Sequence, residues 1–346
     1  MIDSKDLLAA GAAADLVPLR FRLVELPPLP GDDSSKALAL NAQGDCVGAS
    51  FLKEIGNRPV RWGVQDRQAK SLLVPPSTTN ATAHGISGVG EVVGSADVAG
   101  STHPLRWDRA GSLTFLSESP ESNGWAFGVN NAGRVVGDTP MSRSPRAAVW
   151  ERDGSHLILP LPEGALMSEA RAISGSGHVI GDALFAGKTR AVRWLPTGDT
   201  VVLNLPPGFV ESAAIGISET LDVVGTVRDP QDSDTAAYWR TNGVVTVLGS
   251  LNGDGSSTAL AVNSFGWVVG RSTTRSGAQS RAFFWTEGTG ILDLASLVEN
   301  APGDFRLGAA HDINDAGQIV CEGSGNGSGR GYLLEPVYHV EKGRPY

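Results

Sequence analysis

The segment AFGVNNAGRVVG at 126–137 recurs six more times along the chain with the same internal spacing. Each copy begins with Ala and carries Asn or Ser at its fifth position. Six of the seven end on Gly, and their closing positions lie 43 to 51 residues apart. Such a period predicts a repeat architecture, not two ordinary domains. The other copies are ALALNAQGDCVG (37–48), AHGISGVGEVVG (83–94), ARAISGSGHVIG (170–181), AIGISETLDVVG (214–225), ALAVNSFGWVVG (259–270) and AHDINDAGQIVC (310–321).

A complete unit contains four short strand patterns. Small and aliphatic residues alternate before an Asn/Ser-x-x-Gly turn, whose side-chain oxygen can bond the backbone and whose Gly permits positive φ. The x-Val-Val-Gly strand follows, then a loop, a strand that ends on Trp, and a fourth strand. We therefore predict an all-β, seven-bladed β-propeller of four-stranded antiparallel blades. The recurring aromatic positions are Trp62, Trp107, Trp150, Trp194, Trp239 and Trp285, with Leu334 in the seventh unit.

The last unit lacks a fourth strand of its own, whereas the N-terminus carries an unassigned one, RFRLVELPP at 20–28. We predict that residues 20–26 complete the last blade by pairing with the strand at 331–337, which removes an open sheet edge. The domain organisation is then a lead at 1–18, a single propeller at 19–337 and a tail at 338–346. The predicted repeats start near residues 37, 83, 126, 170, 214, 259 and 310.

The seven units resemble the HAF-repeat family, whose units read A-x-x-I-N-x-x-G-x-V-V-G followed by a strand that ends in Phe/Leu-Trp. The resemblance covers about residues 20–335. It implies a propeller, and the family is commonly described as an extracellular repeat. The start MIDSKDLLAAGAAADL has acids where a signal peptide needs basic residues. The expected location is therefore the cytoplasm for the chain as written, or extracellular if a leader was removed.

Charge and hydropathy exclude two classes of partner. Lys and Arg number 28 against 37 Asp and Glu, which gives a net charge of −9 without a basic cluster. Such a surface cannot displace counterions from duplex nucleic acid, and no apolar run reaches the ~20 residues that span a bilayer. We expect a small-molecule ligand at one face, with a protein partner possible and neither nucleic acid nor membrane.

Function is expected on the face that carries the longer loops, which we call the top face. It holds the loops between second and third strands and the connections between blades. Within the constant frame, the residue after the leading Ala varies and should ring the central channel. It is Leu38, His84, Phe127, Arg171, Ile215, Leu260 or His311. The residue before that Ala also varies: Lys36, Thr82, Trp125, Glu169, Ala213, Thr258 or Ala309.

These two sets supply the candidate site. His84 and His311 could move a proton and Arg171 could stabilise negative charge, which favours a cofactor-free lyase, isomerase or cyclase with its pocket at the top mouth of the channel. The alternative is a non-enzymatic scaffold for a protein or glycan. Each histidine could instead be a packed or solvated side chain, which is the more common role of a histidine in a blade, and Glu169 with Arg171 could be a local ion pair. Candidate ligand-binding residues are Lys36, Trp125, Phe127, Glu169 and Asp312.

Two further features concern Asp312 and metals. Asp312 stands beside His311 where the other six units carry Gly or Ala, so its charge is expected to act on that imidazole. No zinc, P-loop or dinucleotide motif is present, and we predict neither a cofactor nor a metal. Whether Asp229, Asp232 and Asp234 bind calcium stays open at this stage.

Cys46 and Cys321 are expected to be unlinked thiols, because adjacent blades lie too far apart for a disulfide.

Overall fold

The structure is a computed structural model that describes residues 17–338, except 19, 118–122, 142–143 and 326–327. Most of the predicted lead at 1–18 and of the tail at 338–346 lies outside these residues. The described chain forms seven antiparallel blades, which confirms the predicted all-β propeller. Strands of each blade contact those of the next, and blade 7 contacts blade 1, so the ring is closed.

Strands are numbered here in chain order, and blades 1 to 6 are continuous in sequence. Blade 1 is β2–β5 (Ser34–Leu40, Cys46–Leu52, Gly56–Trp62, Ala69–Ser71) and blade 2 is β6–β9 (Thr78–Ile86, Val92–Val98, Ser101–Trp107, Leu113–Phe115). Blade 3 is β10–β13 (Trp125–Val129, Val135–Met141, Ser144–Trp150, His156–Ile158) and blade 4 is β14–β17 (Met167–Ile173, Val179–Phe185, Lys188–Trp194, Thr200–Val202). Blade 5 is β18–β21 (Glu211–Ile217, Val223–Arg228, Asp234–Trp239, Val245–Gly249) and blade 6 is β22–β25 (Asp254–Val262, Val268–Thr274, Ser280–Thr286, Gly290–Asp293).

Blade 7 is composed of segments from both ends of the chain. Its inner strands are β27 (Arg306–Ile313), β28 (Ile319–Gly325) and β29 (Ser328–Pro336), and β1 (Phe21–Leu26) is the fourth. The antiparallel register of β1 on β29 runs from Phe21↔Pro336 to Leu26↔Gly331, so the predicted closure is confirmed. The two-residue strand β26 (Val298–Glu299) pairs in parallel with β1, after a 3-10 helix at Leu294–Leu297. This outer strand was not predicted.

The hydrophobic core consists of seven clusters, one at each interface between adjacent blades. Each recurrent Trp is buried in a different cluster. Several indole Nε1–H groups also donate to a carbonyl on the connection that leaves the preceding blade, for example Trp194 to Pro160 O at 2.8 Å and Trp62 to Pro27 O at 2.7 Å. The recurrent Trp side chain therefore packs in the interface between two blades and also joins them by a hydrogen bond.

The interface between blades 6 and 7 has Leu334 in place of the recurrent Trp. Trp267, which follows no repeat rule, is buried in this cluster with Phe284 and Phe21. The ring centroids of Trp267 and Phe284 lie 6.1 Å apart, and those of Phe21 and Phe284 lie 5.9 Å apart. A tryptophan that immediately precedes the second strand of blade 6 thus fills the volume that Leu334 of blade 7 leaves empty.

The Asn/Ser turns form as predicted in all seven units. In blade 3, Asn130 Oδ1 accepts hydrogen bonds from the N–H groups of Ala132 and Arg134, and its Nδ2 donates to Ser174 O in the next blade. The Gly three residues on has a φ between 74° and 87° in six units, whereas Leu221 occupies the same left-handed region with φ 68°. Leu221 is therefore a strained residue at a glycine position.

The closing Gly of each repeat is needed for a different reason. A Cβ on Gly181 would lie 1.9 Å from the Glu169 carbonyl oxygen of the neighbouring strand. Blade 7 has Cys321 there, and its β27 contains an additional register shift between Leu307 and Ala309. In blade 7 the two strand backbones therefore approach each other most closely at Gly323, where a Cβ would lie 2.3 Å from the Arg306 carbonyl oxygen.

Serine two residues before the leading Ala was overlooked in the sequence. Ser168 Oγ accepts from Ala147 N–H in the third strand of the preceding blade, at 3.2 Å. Ser212 and Ser257 make the same bond to Ala191 and Ala236. These buried bonds satisfy strand N–H groups across the blade interface.

Cys46 and Cys321 are both buried free thiols, as predicted. Burial raises the pKa of the Cys46 thiol to about 12.

Among the described residues, no helix has the length and apolarity that crossing a bilayer demands.

Candidate functional site

A β-bulge recurs in the innermost strand of all seven blades and determines which side chains face the channel. The pairing shifts between Ala83 and Gly85 in blade 2 and between Ala310 and Asp312 in blade 7. The residue inside each bulge is the variable residue after the leading Ala. Because a bulge turns one extra side chain out of the regular alternation, these seven residues project into the channel.

They surround a cavity of about 430 Å³ on the propeller axis. This volume falls in the usual range for small-molecule pockets, roughly 300–1,000 Å³. His84, Phe127, Arg171, His311 and Asp312 line it, as predicted. Three other candidates, Lys36, Trp125 and Glu169, stand one step nearer the top face and do not line the cavity.

On the side of blades 2 to 4, His84 and Arg171 flank Phe127. The His84 and Phe127 ring centroids are 5.7 Å apart, and Arg171 Cζ lies 5.2 Å from the Phe127 centroid. His84 Nε2 is 3.0 Å from Ser95 Oγ, and within the described residues its Nδ1 has no protein partner. Burial lowers the pKa of His84 to about 4, so its imidazole is neutral at physiological pH.

Arg171 is also held by carboxylates. Its guanidinium pairs with Glu169, and its Nε lies 3.6 Å from Asp182 Oδ1, so the local ion pair considered from the sequence does form. Burial, with the charge of Glu169, raises the pKa of both Asp182 and Asp138 to about 6, although Arg171 acts in the opposite direction. The guanidinium thus contacts Glu169 and Asp182, and its charge also acts on Asp138.

On the opposite side, His311 contacts Glu322 of the adjacent strand. His311 Nε2 is buried and lies 3.4 Å from Glu322 Oε2, while Lys36 Nζ from blade 1 lies 2.6 Å from the same oxygen. Burial disfavours the Glu322 carboxylate, but the interactions with His311 and Lys36 outweigh it and lower its pKa to about 2. Glu322 is therefore ionised beside the imidazole.

Asp312 has a different environment from the one expected from its position beside His311. Its Oδ2 accepts from Leu40 N–H of blade 1 at 3.0 Å, and its Oδ1 accepts from Ile313 N–H at 2.9 Å. Burial raises the pKa of Asp312 to about 7, against these two hydrogen bonds. Asp312 thus joins the two blades that meet at the ring closure, and the carboxylate beside the His311 imidazole is that of Glu322.

The site also contains acids that follow the closing position of the repeat and that were not predicted from the sequence. Asp138, Asp182 and Glu322 each come one residue after it, on the second strand, where other units carry Ala, Ser, Thr or Arg. This position pairs across the strands with the residue before the leading Ala, as Glu169↔Asp182 shows. The same comparison of variable positions, applied to the second strand, would have found all three.

The three aspartates considered for calcium do not converge. Asp229 Oδ1 accepts from the N–H groups of Gln231 and Ser233, and Asp234 pairs with Arg228 at 2.9 Å. In the part of the chain that the structure describes, no three His, Cys, Asp or Glu side chains are grouped so that they could hold a metal ion.

No family model matches the chain, and no curated protein matches it. Among solved structures, it is similar to a streptogramin B lyase with 14% identity and a TM-score of 0.57, over 92% of this chain and 99% of that one. A virginiamycin B lyase from Staphylococcus aureus, catalytically inactive and crystallised with quinupristin, is 13% identical with a TM-score of 0.53, over 91% and 99% of the two chains. A puromycin-hydrolysing peptidase from Mycobacterium tuberculosis is 13% identical with a TM-score of 0.58, over 96% of this chain and 55% of that one. At these identities the similarity shows a shared fold, the β-propeller.

Proposed function

We propose that the protein binds a small molecule in the channel and catalyses cofactor-free acid–base chemistry on it, as a lyase, isomerase or cyclase. The observation that carries this proposal is the convergence of His84, Arg171 and His311 on one cavity of about 430 Å³. A scaffold that binds through a flat polar rim would not need a cavity into which three such side chains project.

His84 is the candidate general base. Its imidazole is neutral because burial lowers its pKa to about 4, and its Nδ1 has no partner within the described residues. A neutral imidazole can accept a proton from a carbon next to a carbonyl group. Its lowered pKa makes it a weak base, which suits a substrate with an already acidic C–H bond.

Arg171 and His311 complete the proposed mechanism. The remaining N–H groups of Arg171 would stabilise negative charge on the enolate oxygen after proton removal. His311 would return a proton to the leaving group or to carbon, and the Glu322 carboxylate, 3.4 Å from Nε2, would balance the positive charge on the ring. Proton removal and return then use two imidazoles on different blades, with no external oxidant or reductant.

The similar solved propellers support an enzymatic function only in a general sense. They include a streptogramin B lyase and a virginiamycin B lyase, each matched over 99% of its length, so a propeller of this size can be a lyase. Membership of the HAF-repeat family also stays a proposal, based on the seven repeat units.

The test is carbon–hydrogen exchange. A library of lactones, cyclic esters and other carbonyl compounds is screened by thermal shift, and each ligand is then incubated with the protein in D2O and followed by NMR. We expect deuterium to enter the carbon beside the carbonyl at a rate that falls about 100-fold in His84→Gln. Exchange should fall in His311→Gln as well.

His156→Gln is the matched control, because His156 is exposed on the fourth strand of blade 3. It should exchange at the wild-type rate. Ligands that bind in the channel but never exchange, or equal exchange by His84→Gln and wild type, would overturn the enzymatic proposal in favour of the scaffold.

A further inference from the structure

A second cavity, of about 600 Å³, opens on the top face where blades 6, 7 and 1 meet. It is separate from the channel cavity. Its wall carries four cationic and two acidic side chains, although the whole chain has a net charge of −9. The charged residues are Lys36, Arg281, Arg306, Arg330, Asp293 and Glu322.

Two of the four cations are fixed by the protein. Arg281 pairs with Asp254 at 3.0 Å and with Asp293 at 3.4 Å. Arg330 pairs with Glu25 at 3.1 Å and donates to Asp33 O. These two guanidinium groups form part of the cavity wall, and the carboxylates that they contact balance their charges.

Arg306 differs from them because it is exposed and, in the described part of the chain, has no hydrogen-bond or ion-pair partner. It begins β27, where the next residue, Leu307, is buried between the blades. Strand alternation therefore directs Arg306 towards the cavity, next to the register shift between Leu307 and Ala309. A free guanidinium offers five N–H donors in a planar arrangement that suits carboxylate and phosphate oxygens.

The remainder of the cavity suits an organic body. Phe305 lines it and is oriented by an edge-to-face contact with Tyr332, their ring centroids 5.3 Å apart. Gly308 and Gly329 also line it, and a Cβ on either would have no neighbour closer than 3.7 Å. The cavity thus combines an unpaired guanidinium, an aromatic face and free volume.

We propose that this cavity binds a small organic anion, with its carboxylate or phosphate group held by Arg306 and Lys36 and its apolar part against Phe305. Lys36 keeps its contact with Glu322 and has two more N–H donors. The proposal is independent of catalysis in the channel, because it requires binding alone.

Isothermal titration calorimetry with inorganic phosphate, phenyl phosphate and benzoate tests it. Phenyl phosphate or benzoate should bind more tightly than inorganic phosphate, and the tighter of the two identifies the preferred acidic group. Arg306→Gln should weaken binding about tenfold, which corresponds to the loss of one charge-assisted hydrogen bond. Added salt should weaken binding to the wild type more than to this variant.

Arg275→Gln is the matched control. Arg275 is exposed in the loop between the second and third strands of blade 6 and does not line the cavity. Binding should be unchanged in this variant and in His84→Gln, whose side chain lines the channel instead. Equal affinities of Arg306→Gln and wild type, or no binding of any probe to the wild type, would overturn the proposal.

Discussion

Blade 4 and blade 7 obey the same repeat to very different degrees. Blade 4 is continuous and has the expected Gly181 and Trp194. Blade 7 combines strands from both ends of the chain and has Cys321 and Leu334 at those positions. It also contributes His311, Glu322 and Arg306, so the least regular blade carries much of the candidate chemistry.

The difference teaches that a departure from the repeat needs a structural compensation before it can serve function. The additional register shift in β27 moves the close backbone approach to Gly323 and makes room for Cys321. Trp267 of blade 6 fills the interface that Leu334 leaves underpacked.

Phe21→Ala should have the largest effect, a loss of about 3–5 kcal/mol in the free energy of unfolding. Phe21 is completely buried, and its strand β1 is joined to blade 7 by non-covalent pairing alone. Urea denaturation measures the loss. Phe51→Ala, at a partly exposed Phe of blade 1, is the control and should cost less than about 1 kcal/mol. Similar losses in the two variants would contradict the closure.

Gly181→Ala should cost about 3 kcal/mol, because the new Cβ would meet the Glu169 carbonyl at 1.9 Å and neither backbone can move without breaking the strand pairing. Cys321→Ala, at the equivalent position of blade 7, should cost about 1 kcal/mol because it removes only the sulfur. Thermal unfolding of the two variants compares the blades directly. A smaller loss for Gly181→Ala than for Cys321→Ala would contradict the compensation by β27.

Asp312→Asn should change how stability depends on pH. The folded-state pKa of about 7 lies above the ordinary value of 3.8, so the wild type loses stability as the pH rises from about 4 to 7. The slope from one such group is at most about 1.4 kcal/mol per pH unit. Asn does not titrate, so the free energy of unfolding, measured by urea denaturation at several pH values between about 4 and 7, should change less with pH in this variant than in the wild type.

Asp315→Asn makes the same substitution at an exposed carboxylate in the adjacent turn and should keep the wild-type slope. An unchanged slope in Asp312→Asn would show that this carboxyl does not titrate in the range.

Leu221→Gly should have the smallest effect and the opposite sign. Leu221 has a φ of 68° where six units have Gly, and relief of this strain exceeds the entropic cost of Gly by about 0.5 kcal/mol. The midpoint of urea denaturation should rise slightly. A fall in the midpoint would mean that packing of the Leu221 side chain offsets the strain in its backbone, just as Trp267 offsets the smaller volume of Leu334.

The sequence was sufficient for the fold because its repeats are local. The turn residues, the closing Gly and the recurrent Trp each act within one blade or on the next one, so regular spacing predicts their roles. The channel residues His84, Arg171 and His311 were found in the same way, as variable positions in a constant frame. Their function stays a proposal.

The contacts of the site were harder to predict because they depend on register. Glu322 pairs across the strands with Ala309, as Asp182 pairs with Glu169 in blade 4, and its side chain contacts His311, the residue inside the second bulge of β27. The spacing of the repeat does not indicate this bulge, although it recurs in all seven blades. The carboxylate of Asp312, adjacent to His311 in sequence, instead accepts an N–H of the next blade.

The composite blade 7 also has a consequence for synthesis in the cell. Arg22 and its partner Glu335 are 313 residues apart. At translation rates of about 5–20 residues per second, β1 waits roughly 15–60 s before β29 leaves the ribosome. Blades 1 to 6 can assemble successively in that time, whereas β1 must stay unpaired and soluble. Its sequence FRLVEL interrupts the apolar residues with Arg22 and Glu25, charges that discourage the waiting strand from pairing with another nascent chain.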